Sequence, residues 1–415
     1  MKHILLMISL FTAVAVQSQT WMAGSDIPTA VRAGNTAGYS KDGEGYLFVV
    51  SGRDFNGLIT KKHQRYQMST NTWTELAEHP TGLLGGATTI LKDSLYVIGG
   101  LRNTPGTAGK RCYKYSINEN TWVQIANFPV NITDAKAVSY QDSLIYVTGG
   151  YTGNTYVYNS HYNRWRPATA VIPGGSLSWN GFAIQDNTLT VVCGTDYFMS
   201  PTYFNTVRRG VINQNDRAQI TWTEGTPFPG QSRTFFDSYS WENGIIMTGG
   251  STDNTFETTS NECYSYNTAT DSWTQLPNKP TAWVTGNSAS VQIGPYWGLI
   301  CSSGYGSDYL SQTEILWTGP PLSIEEHPSG NCSWKNFQIF YGDKTRIHFC
   351  LSENGSIDLE IFDAHGRKVK AIQHVATQSG LHSLDVDTQD LSKGIYYCTL
   401  KKDSISVTKK MIVSK

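Results

Sequence analysis

The sequence predicts an all-β protein, with a large repetitive part followed by a smaller β domain. Three observations support this fold class. The 415 residues include 39 Gly, 23 Tyr and 12 Trp, a composition typical of short strands joined by tight turns. Apolar runs that end in glycine recur through the larger part of the chain. The remaining C-terminal part alternates apolar and polar residues, as half-buried strands do.

The charge of the chain is low and balanced. The formal net charge is −1 and only 16% of the residues are charged. This composition argues against a nucleic-acid partner, which requires a basic surface, and against an acidic tail.

The first 18 residues have the pattern of a secretory signal peptide. Lys2 and His3 precede an apolar run over residues 4–16, and small or polar residues follow. The run is too short for a stable transmembrane span, and we expect cleavage after Ser18. No other apolar stretch is long enough to cross a bilayer, so the sequence predicts no transmembrane segment in the mature chain.

Seven cysteines in an exported chain leave at least one thiol unpaired. They are scattered, without a C-x-x-C pair, which disfavours a structural metal site. We expect most of them to be free thiols packed in the core, because a chain of this size can form a stable hydrophobic core without disulfide bonds. One bridge within the C-terminal part is the alternative.

An internal repeat organises the larger part of the chain. The runs "LYVIGG" (95–100), "LIYVTGG" (144–150) and "GIIMTGG" (244–250) each precede a Tyr pair and then a Trp in a polar turn. The three Trp residues are Trp122, Trp165 and Trp273. Weaker copies such as "YLFVVSG" (46–52) and "LTVVCG" (189–194) fill the intervals.

This pattern resembles the kelch repeat, whose unit is one four-stranded blade of a β-propeller of about 50 residues. The resemblance implies that the Gly pair ends strand b, that the Tyr pair lies on strand c, and that the Trp lies on strand d. Glycine suits the crowded strands near the axis. Large aromatic residues suit the wedge between neighbouring blades, so we expect the repeated Tyr and Trp side chains to be core.

The spacing of Trp and Pro predicts how the ring closes. A Pro follows the Trp at seven residues in most copies, at Trp73, Trp122, Trp222 and Trp273. Trp21 also has Pro28 seven residues on, but no repeat precedes it. The last copy ends at "TEILWTGPP" without such a segment. We therefore expect residues 19–320 to form six blades, with the N-terminal strand as the fourth strand of the sixth blade.

The C-terminal part reads as a separate domain. A polar linker over residues 321–334 precedes a predicted small β-sandwich of seven strands over residues 335–415. The pieces "IFDAHGRKVK", "DLSKGIYYCTL" and "KKMIVSK" resemble the C-terminal sorting domain of type IX (Por) secretion. This resemblance implies recognition by the type IX machinery and passage across the outer membrane of a Gram-negative bacterium. The protein would then be secreted or held at the cell surface.

The common catalytic motifs are missing from the sequence. It has no G-x-S-x-G, H-E-x-x-H or phosphate-binding glycine loop, and we predict neither a metal site nor a cofactor. Galactose oxidase also has kelch-type blades, and its copper needs two histidines. The propeller histidines are His63, His79 and His161, whose strand positions keep them from converging on the axis.

We expect a ligand to bind at the mouth of the central channel, over the loops that follow strand b and those that join strand d to strand a. Arg32 and Arg233 each lie four residues after a Pro, and Arg53 and Arg102 follow strand b closely. Arginine captures carboxylate, sulfate or phosphate through paired hydrogen bonds. The aromatic residues in the same loops are Trp179, Tyr197, Phe198, Trp283 and Tyr305. The alternative is that each Arg only bridges loops through nearby aspartates.

Three functions fit this arrangement. The leading hypothesis is an exported binding module that recognises a glycan or a protein through the mouth loops. The second is an enzyme similar to sialic-acid mutarotases, which are exported kelch-type propellers that act on an anionic sugar. Its acid or base would be Asp54, Asp196 or Asp308. The third is an adhesion or envelope protein that uses the same surface without a small ligand.

Overall fold

The structure is a computed structural model that describes residues 19–102, 107–196, 202–253, 257–319, 334–340, 345–351, 354–377, 380–403 and 405–413. Within these ranges the regular secondary structure is all β, apart from one 3-10 turn at Trp334–Asn336. The predicted signal peptide lies outside the described residues.

Six four-stranded antiparallel sheets make up the larger part. Within the described residues the first strand is β1 (Thr20–Gly24), and five complete blades follow it along the chain. Blade 1 contains β2 (Asn35–Lys41), β3 (Glu44–Val50), β4 (His63–Gln67) and β5 (Thr72–Glu75). Blade 2 contains β6 (Ala87–Leu91), β7 (Ser94–Ile98), β8 (Cys112–Ser116) and β9 (Thr121–Ile125). Blade 3 contains β10 (Ala135–Tyr140), β11 (Leu144–Gly149), β12 (Thr155–Asn159) and β13 (Arg164–Ala168).

The remaining blades have the same order of strands. Blade 4 contains β14 (Gly181–Gln185), β15 (Thr188–Val192), β16 (Val207–Ile212) and β17 (Ile220–Gly225). Blade 5 contains β18 (Asp237–Trp241), β19 (Gly244–Thr248), β20 (Cys263–Asn267) and β21 (Ser272–Leu276). Blade 6 contains β22 (Asn287–Ile293), β23 (Tyr296–Tyr305) and β24 (Tyr309–Trp317), and β1 is its fourth strand. The six-bladed propeller predicted from the repeat is confirmed.

The ring closes through β1. This strand pairs antiparallel with β24, from Thr20 opposite Trp317 to Gly24 opposite Thr313. The pairing covers the edge of β24, which would otherwise present unpaired backbone groups. The prediction that the N-terminal strand completes the last blade is therefore confirmed. The chain enters β1 and leaves β24 at the same face of the propeller. This face is opposite the loops that follow strand b.

Each strand-d Trp donates a hydrogen bond from its indole Nε1 to a backbone carbonyl of the preceding blade. We call this contact the indole clip. The six donor–acceptor pairs are Trp21 to Pro277 (2.8 Å), Trp73 to Ser25 (2.9 Å), Trp122 to Ala77 (2.9 Å), Trp165 to Ala126 (3.0 Å), Trp222 to Thr169 (3.2 Å) and Trp273 to Thr226 (3.0 Å). Trp21 thus joins the closing strand to blade 5 in the same way as the others.

A second contact supports the clip in four blades. In blade 2 the Tyr115 hydroxyl donates to Asn120 Oδ1 (2.7 Å), and the same oxygen accepts the backbone N–H of Ala77 (2.8 Å). Blades 1, 3 and 5 repeat this arrangement, with an Asp in place of the Asn in blade 5. The paired Tyr and Trp rings lie about 5 Å apart, for instance 5.0 Å for Tyr115 and Trp122. The repeated aromatic residues are therefore structural.

Blade 4 departs from the repeat at strand c. Gly210 stands opposite Trp222, where blades 1, 2, 3 and 5 have Tyr and blade 6 has Leu316. A Cβ on Gly210 would lie 2.6 Å from the Trp222 ring, so the indole fills the space that the missing Tyr leaves.

Two further sheets form the C-terminal domain. One contains β25 (Gln338–Phe340), β26 (Thr345–Leu351) and β29 (Gly380–Val386). The other contains β27 (Gly355–Asp363), β28 (Lys368–Thr377), β30 (Gly394–Lys402) and β31 (Ile405–Val413). Both contribute to one core, which includes Phe337, Ile347, Leu359, Cys398 and Met411. The predicted small β-sandwich is confirmed. Residues 321–333 of the predicted linker lie outside the described ranges, whereas Trp334, its last residue, packs in the core of this domain.

Five cysteines are free and buried, namely Cys112, Cys193, Cys263, Cys301 and Cys398. The state of Cys332 and Cys350 stays a prediction. Across the described ranges, no helix has the length and apolar character that crossing a bilayer requires.

The Asn120 contact predicts a measurable loss of stability. Asn120→Ala removes the acceptor of both the Tyr115 hydroxyl and the Ala77 N–H, and places Ala at a φ of 54°. We expect the free energy of unfolding in urea to fall by about 1–2 kcal/mol. Asn120→Asp is the matched control, because Asp271 has this role in blade 5. Equal losses in the two variants would contradict the assigned role.

Candidate functional site

The mouth of the channel is bounded by one residue from each blade, just before the innermost strand a. These six residues share a left-handed backbone with φ between 46° and 64°, and they are Ala33, Gly85, Asp134, Trp179, Phe235 and Thr285. Backbone hydrogen bonds link neighbouring members from blade to blade, such as Ala33 N to Thr285 O (2.9 Å) and Thr285 N to Phe235 O (3.0 Å). We call this set the axial ring.

The axial ring places unusual side chains over the channel. A positive φ is uncommon for bulky residues, and here Trp179 and Phe235 both have it. Their rings lie 4.3 Å apart between centroids, and Tyr151 packs edge-on against Trp179 at 5.7 Å. Blades 3, 4 and 5 therefore present a partly exposed aromatic cluster at the mouth.

Two of the four predicted arginines meet on the other side of the mouth. Arg32 and Arg53 form an isolated β-bridge, with N–O distances of 2.9 and 3.0 Å between their backbones. The Arg32 guanidinium lies 5.7 Å from the centre of the Tyr305 ring, and its Nε donates to the Tyr309 hydroxyl (3.2 Å). Arg53 Nη1 donates to the Gly57 carbonyl (2.9 Å). The structure thus pairs the backbones of Arg32 and Arg53 and places the Arg32 guanidinium beside Tyr305.

The prediction that Arg32 and Arg233 occupy equivalent positions in their blades is wrong. At the mouth, an isolated β-bridge pairs Arg32 with Arg53 in blade 1, and the corresponding bridge in blade 5 pairs Thr234 with Ser251. Thr234 is therefore the residue of blade 5 that corresponds to Arg32. Thr234 lies five residues after Pro229, whereas Arg32 lies four after Pro28, so the blade 5 loop is one residue longer.

This shift moves Arg233 from the mouth into the core. It is 1% exposed and packs 5.1 Å from the centre of the Phe228 ring. Its Nη2 pairs with Glu262 at 2.5 Å, and its Nη1 donates to Ser260 Oγ (2.9 Å). Arg233 is therefore a buried structural residue and not part of a shared anion site.

The prediction that Trp283 lies at the mouth is also wrong. It occupies the position next to the bridge in blade 6 that corresponds to Arg233 in blade 5. The side chain is 1% exposed, and the Lys279 ammonium lies 4.2 Å from the ring centre. Lys279 also pairs with Glu314 at 2.5 Å in the same buried region. Trp283 thus offers no face to a ligand.

Arg102 follows strand b of blade 2 but turns toward its own loop. Arg102 Nε lies close to Gly109, since a Cβ at that position would be 3.2 Å from it. The guanidinium is also near enough to His79 to help lower the pKa of that imidazole. Burial, followed by repulsion from Arg111, lowers the pKa of Arg102. The structure does not bring Arg102 to Arg32 and Arg53.

The three predicted acid or base residues serve their own loops. Asp54 Oδ1 accepts the backbone N–H groups of Asn56 (3.0 Å) and Leu58 (2.9 Å). Asp196 Oδ1 accepts the N–H of Thr202 (2.6 Å), and Asp308 Oδ1 accepts the N–H of the next residue (2.7 Å). These carboxylates stabilise turns. The predicted Tyr197 and Phe198 lie outside the described residues.

A cavity of about 210 Å³ lies behind the axial ring, lined by the innermost strands of all six blades. The sequence reasoning missed its polar residues, because it looked for function in loops and not on strand a. Lys136 on β10 and Tyr239 on β18 line the cavity. The Tyr239 hydroxyl lies 2.8 Å from Thr36 Oγ1 across the channel.

Two aspartates beside this cavity have perturbed pKa values. Burial raises the pKa of Asp237 to about 7, although Lys136 and Ser288 act in the opposite direction. Burial raises the pKa of Asp134 to about 6, and a hydrogen bond with Trp179 is the main effect that lowers it. The carboxylate of Asp134 lies close to Gly85. A Cβ at position 85 would lie 2.6 Å from Asp134 Oδ1, so only glycine fits there. Both carboxyl groups titrate near neutral pH.

Two of the propeller histidines are buried between blades 1 and 2. His63 and His79 pack 5.4 Å and 4.8 Å from the Trp122 ring, and burial lowers the pKa of each to about 3. Within the described residues, no group of three or more His, Cys, Asp or Glu side chains is arranged to hold a metal ion.

The raised pKa of Asp237 predicts how stability depends on pH. The folded state keeps the proton between about pH 4 and the folded value of about 7, while the unfolded chain releases it. Stability therefore falls as the pH rises through this window. We expect Asp237→Asn to unfold in urea like the wild type near pH 5 and to be more stable by about 1–3 kcal/mol near pH 8.

The exposed Asp142, in the turn between β10 and β11, provides the control for this experiment. Asp142→Asn should leave the pH profile of stability unchanged. If the stabilities of the wild type and Asp237→Asn differed by the same amount at every pH, the result would contradict the assigned pKa of Asp237.

Comparisons with known proteins agree with this architecture. Residues 83–129 match the kelch motif, and residues 343–414 match the secretion system C-terminal sorting domain. Beta-scruin of Limulus polyphemus is 40% identical over 55 residues, which is 13% of this chain and 6% of beta-scruin.

A solved structure, that of YjhT, superposes with a TM-score of 0.56 at 14% sequence identity. The superposition covers 69% of this chain and 95% of YjhT, and at this identity it shows a shared fold. The sorting domain indicates export by type IX secretion, to the cell surface or the medium. The protein is a kelch-repeat six-bladed β-propeller that carries a type IX C-terminal sorting domain.

Proposed function

We propose that this protein is an exported binding module that recognises an acidic glycan through the mouth of its propeller. The observation that carries the proposal is the pairing of Arg32 and Arg53 at the rim, beside Tyr305 and Tyr309. Two arginines whose backbones pair at the rim can offer guanidinium groups to one carboxylate or sulfate, which accepts paired hydrogen bonds.

The surroundings of these arginines support a fixed site. The Tyr305 ring and the Tyr309 hydroxyl hold the Arg32 guanidinium, so less side-chain entropy is lost when a ligand binds. The hydrogen bond from Arg53 to Gly57 likewise restrains the second guanidinium. Asp54, the acid next to Arg53, is engaged with backbone N–H groups of its own loop.

The aromatic cluster on the opposite side of the mouth supports a sugar as the ligand. Trp179, Phe235 and Tyr151 offer flat apolar faces within the same opening. Ligand sites commonly combine such faces with a few polar groups that fix orientation. A ring with an acidic substituent fits a mouth that has aromatic residues on one side and arginines on the other.

A sugar mutarotase is the second candidate, and Asp134 favours it. This residue belongs to the axial ring, and its pKa of about 6 lies in the range that suits a general acid or base. Opening and closing a sugar ring needs proton transfer at the ring oxygen and the anomeric hydroxyl, with the anionic group held elsewhere. Asp134 would replace Asp54, Asp196 and Asp308 in this role.

The test follows the anomer exchange of N-acetylneuraminate by NMR in the presence of the purified protein. Line broadening without faster exchange supports the binding module, and faster exchange supports the mutarotase. We expect Arg53→Ala to weaken binding by about tenfold or more, because a charge-assisted contact is lost. Arg164→Ala is the control, since Arg164 is exposed at the opposite face of the propeller.

Asp134→Asn separates the two candidates. In a binding module it leaves binding within about twofold, whereas in a mutarotase it removes the accelerated exchange while binding persists. Equal binding by wild type and Arg53→Ala, or no binding at all, would contradict recognition of this acidic sugar at the arginine pair.

A further inference from the structure

The turn that follows strand b of blade 1 holds two apolar side chains in solvent at the rim of the mouth. Phe55 is 75% exposed and Leu58 is 60% exposed. Among the described residues, no large apolar side chain is more exposed than Phe55. Single exposed apolar residues are normal on a protein surface, but two of them close together mark a candidate contact surface. We call residues 54–58 the blade 1 turn.

The blade 1 turn is ordered by its own hydrogen bonds. The Asp54 N–H donates to the Leu58 carbonyl (2.9 Å), and the Gly57 N–H donates to the Asp54 carbonyl (3.0 Å). Gly57 has the left-handed φ of 78°. Below the turn, Ile59 forms an isolated β-bridge with Arg53 and is 8% exposed, so Ile59 faces inward and Leu58 faces outward. The turn is therefore fixed before a ligand arrives, which reduces the entropy lost on binding.

This turn adjoins the arginine pair. Arg53 Nη1 donates to the Gly57 carbonyl (2.9 Å), so one guanidinium of the proposed site lies against the turn. Because consecutive Cα atoms lie about 3.8 Å apart, the Cα atoms of Leu58 and Phe55 are within about 4 Å and 8 Å of the Gly57 Cα. An apolar contact surface therefore begins next to the group that would hold the acidic unit of a glycan.

The apolar surface continues into blade 2. The Gly52 N–H donates to the Leu83 carbonyl (3.0 Å), which joins the loop of blade 1 to blade 2. In blade 2, Leu84 and Leu101 form the isolated bridge that corresponds to the arginine pair, and both residues are half-buried. The rim thus changes from cationic in blade 1 to apolar in blade 2. The residues of this apolar rim are Phe55, Leu58, Leu84 and Leu101.

We propose that the glycan is a chain of sugar units, with its acidic unit at the arginine pair and a neighbouring unit packed on the apolar rim. This inference rests on the proposed function, because it takes the arginine pair as the site of the acidic group. A sugar ring suits the rim, since its faces carry C–H groups and its edges carry hydroxyls. The faces can cover Phe55 and Leu58 while the hydroxyls reach the amide of Asn56, which is exposed between them.

The blade 1 turn fits a lipid bilayer less well. If Phe55 and Leu58 entered an apolar phase, Asn56 and the carboxylate of Asp54 would enter with them. Polar groups that leave water without gaining partners cost free energy. A glycan supplies such partners through its hydroxyl groups, so we take the glycan as the occupant and include the bilayer in the test.

Isothermal titration calorimetry with the purified full chain tests this inference. It compares the α-methyl glycoside of N-acetylneuraminate with sialyllactose, in which one N-acetylneuraminate is linked to neutral lactose. Both compounds carry one carboxylate, so a difference in affinity reports the neutral units. We expect sialyllactose to bind about tenfold more tightly or better, which corresponds to about 1.4 kcal/mol.

Variants at exposed positions localise the gain. Phe55→Ser and Leu58→Ser should each lower the ratio of the two affinities about threefold or more, because apolar contact area is lost. Tyr162→Ser is the matched control and should change neither affinity. Tyr162 is 72% exposed and lies in the turn between β12 and β13, on the opposite face of the propeller.

The outcomes separate this inference from the proposed function. A wild-type ratio near one, or a ratio that Phe55→Ser leaves unchanged, overturns the inference, while binding of the methyl glycoside still supports the acidic site. If neither sugar binds, recognition of N-acetylneuraminate at the arginine pair fails and the inference fails with it. Sedimentation with vesicles of phosphatidylcholine and phosphatidylglycerol is measured in parallel. Vesicle binding that Phe55→Ser abolishes would assign the turn to a bilayer and overturn the inference.

Discussion

The propeller depends on the indole clip, by which a Trp on the outermost strand of each blade donates to a carbonyl of the preceding blade. This contact fixes both the distance and the angle between neighbouring sheets, because the donor is a rigid ring and the acceptor is backbone. The six donors include Trp21, which belongs to the strand that closes the ring. These rings are partly buried, and because each also has a hydrogen-bond partner, it loses little hydration while contributing a large apolar surface. The circular arrangement, and therefore the channel and its mouth, follows from repeating this one contact.

The sequence predicted the parts of the structure that repeat. The strand-ending glycines, the Tyr opposite the Trp in four blades and the spacing from Trp21 to Pro28 reflect steric and packing needs that recur in most blades, so they are visible without a structure. The site does not repeat, and spacing alone misplaced some of its residues. One additional residue after Pro229 was enough to move Arg233 from the rim to the core, where it pairs with Glu262. Such an insertion changes no periodicity that the sequence displays.

The polar residues of the channel escaped prediction for a different reason. Lys136 and Asp237 lie on innermost strands, whose residues face either neighbouring blades or the axis. Which of them faces the axis depends on how six sheets are inclined to one another, which is a property of the closed ring. The pKa of Asp237 likewise reflects burial by neighbouring blades, and no short motif encodes it. Function in this fold therefore depends on long-range geometry to a greater degree than the fold itself does.

The closing pair of strands has a consequence for the processing of the protein. All strands of the propeller lie between Thr20 and Trp317, and the two ends of this segment are adjacent in the β1–β24 pair. A protease that cuts the chain beyond Trp317 would therefore leave every sheet complete and every indole clip in place. The cut would also occur on the face away from the axial ring. Such a cut would therefore leave the residues of the proposed binding surface in the same positions as in the uncut chain.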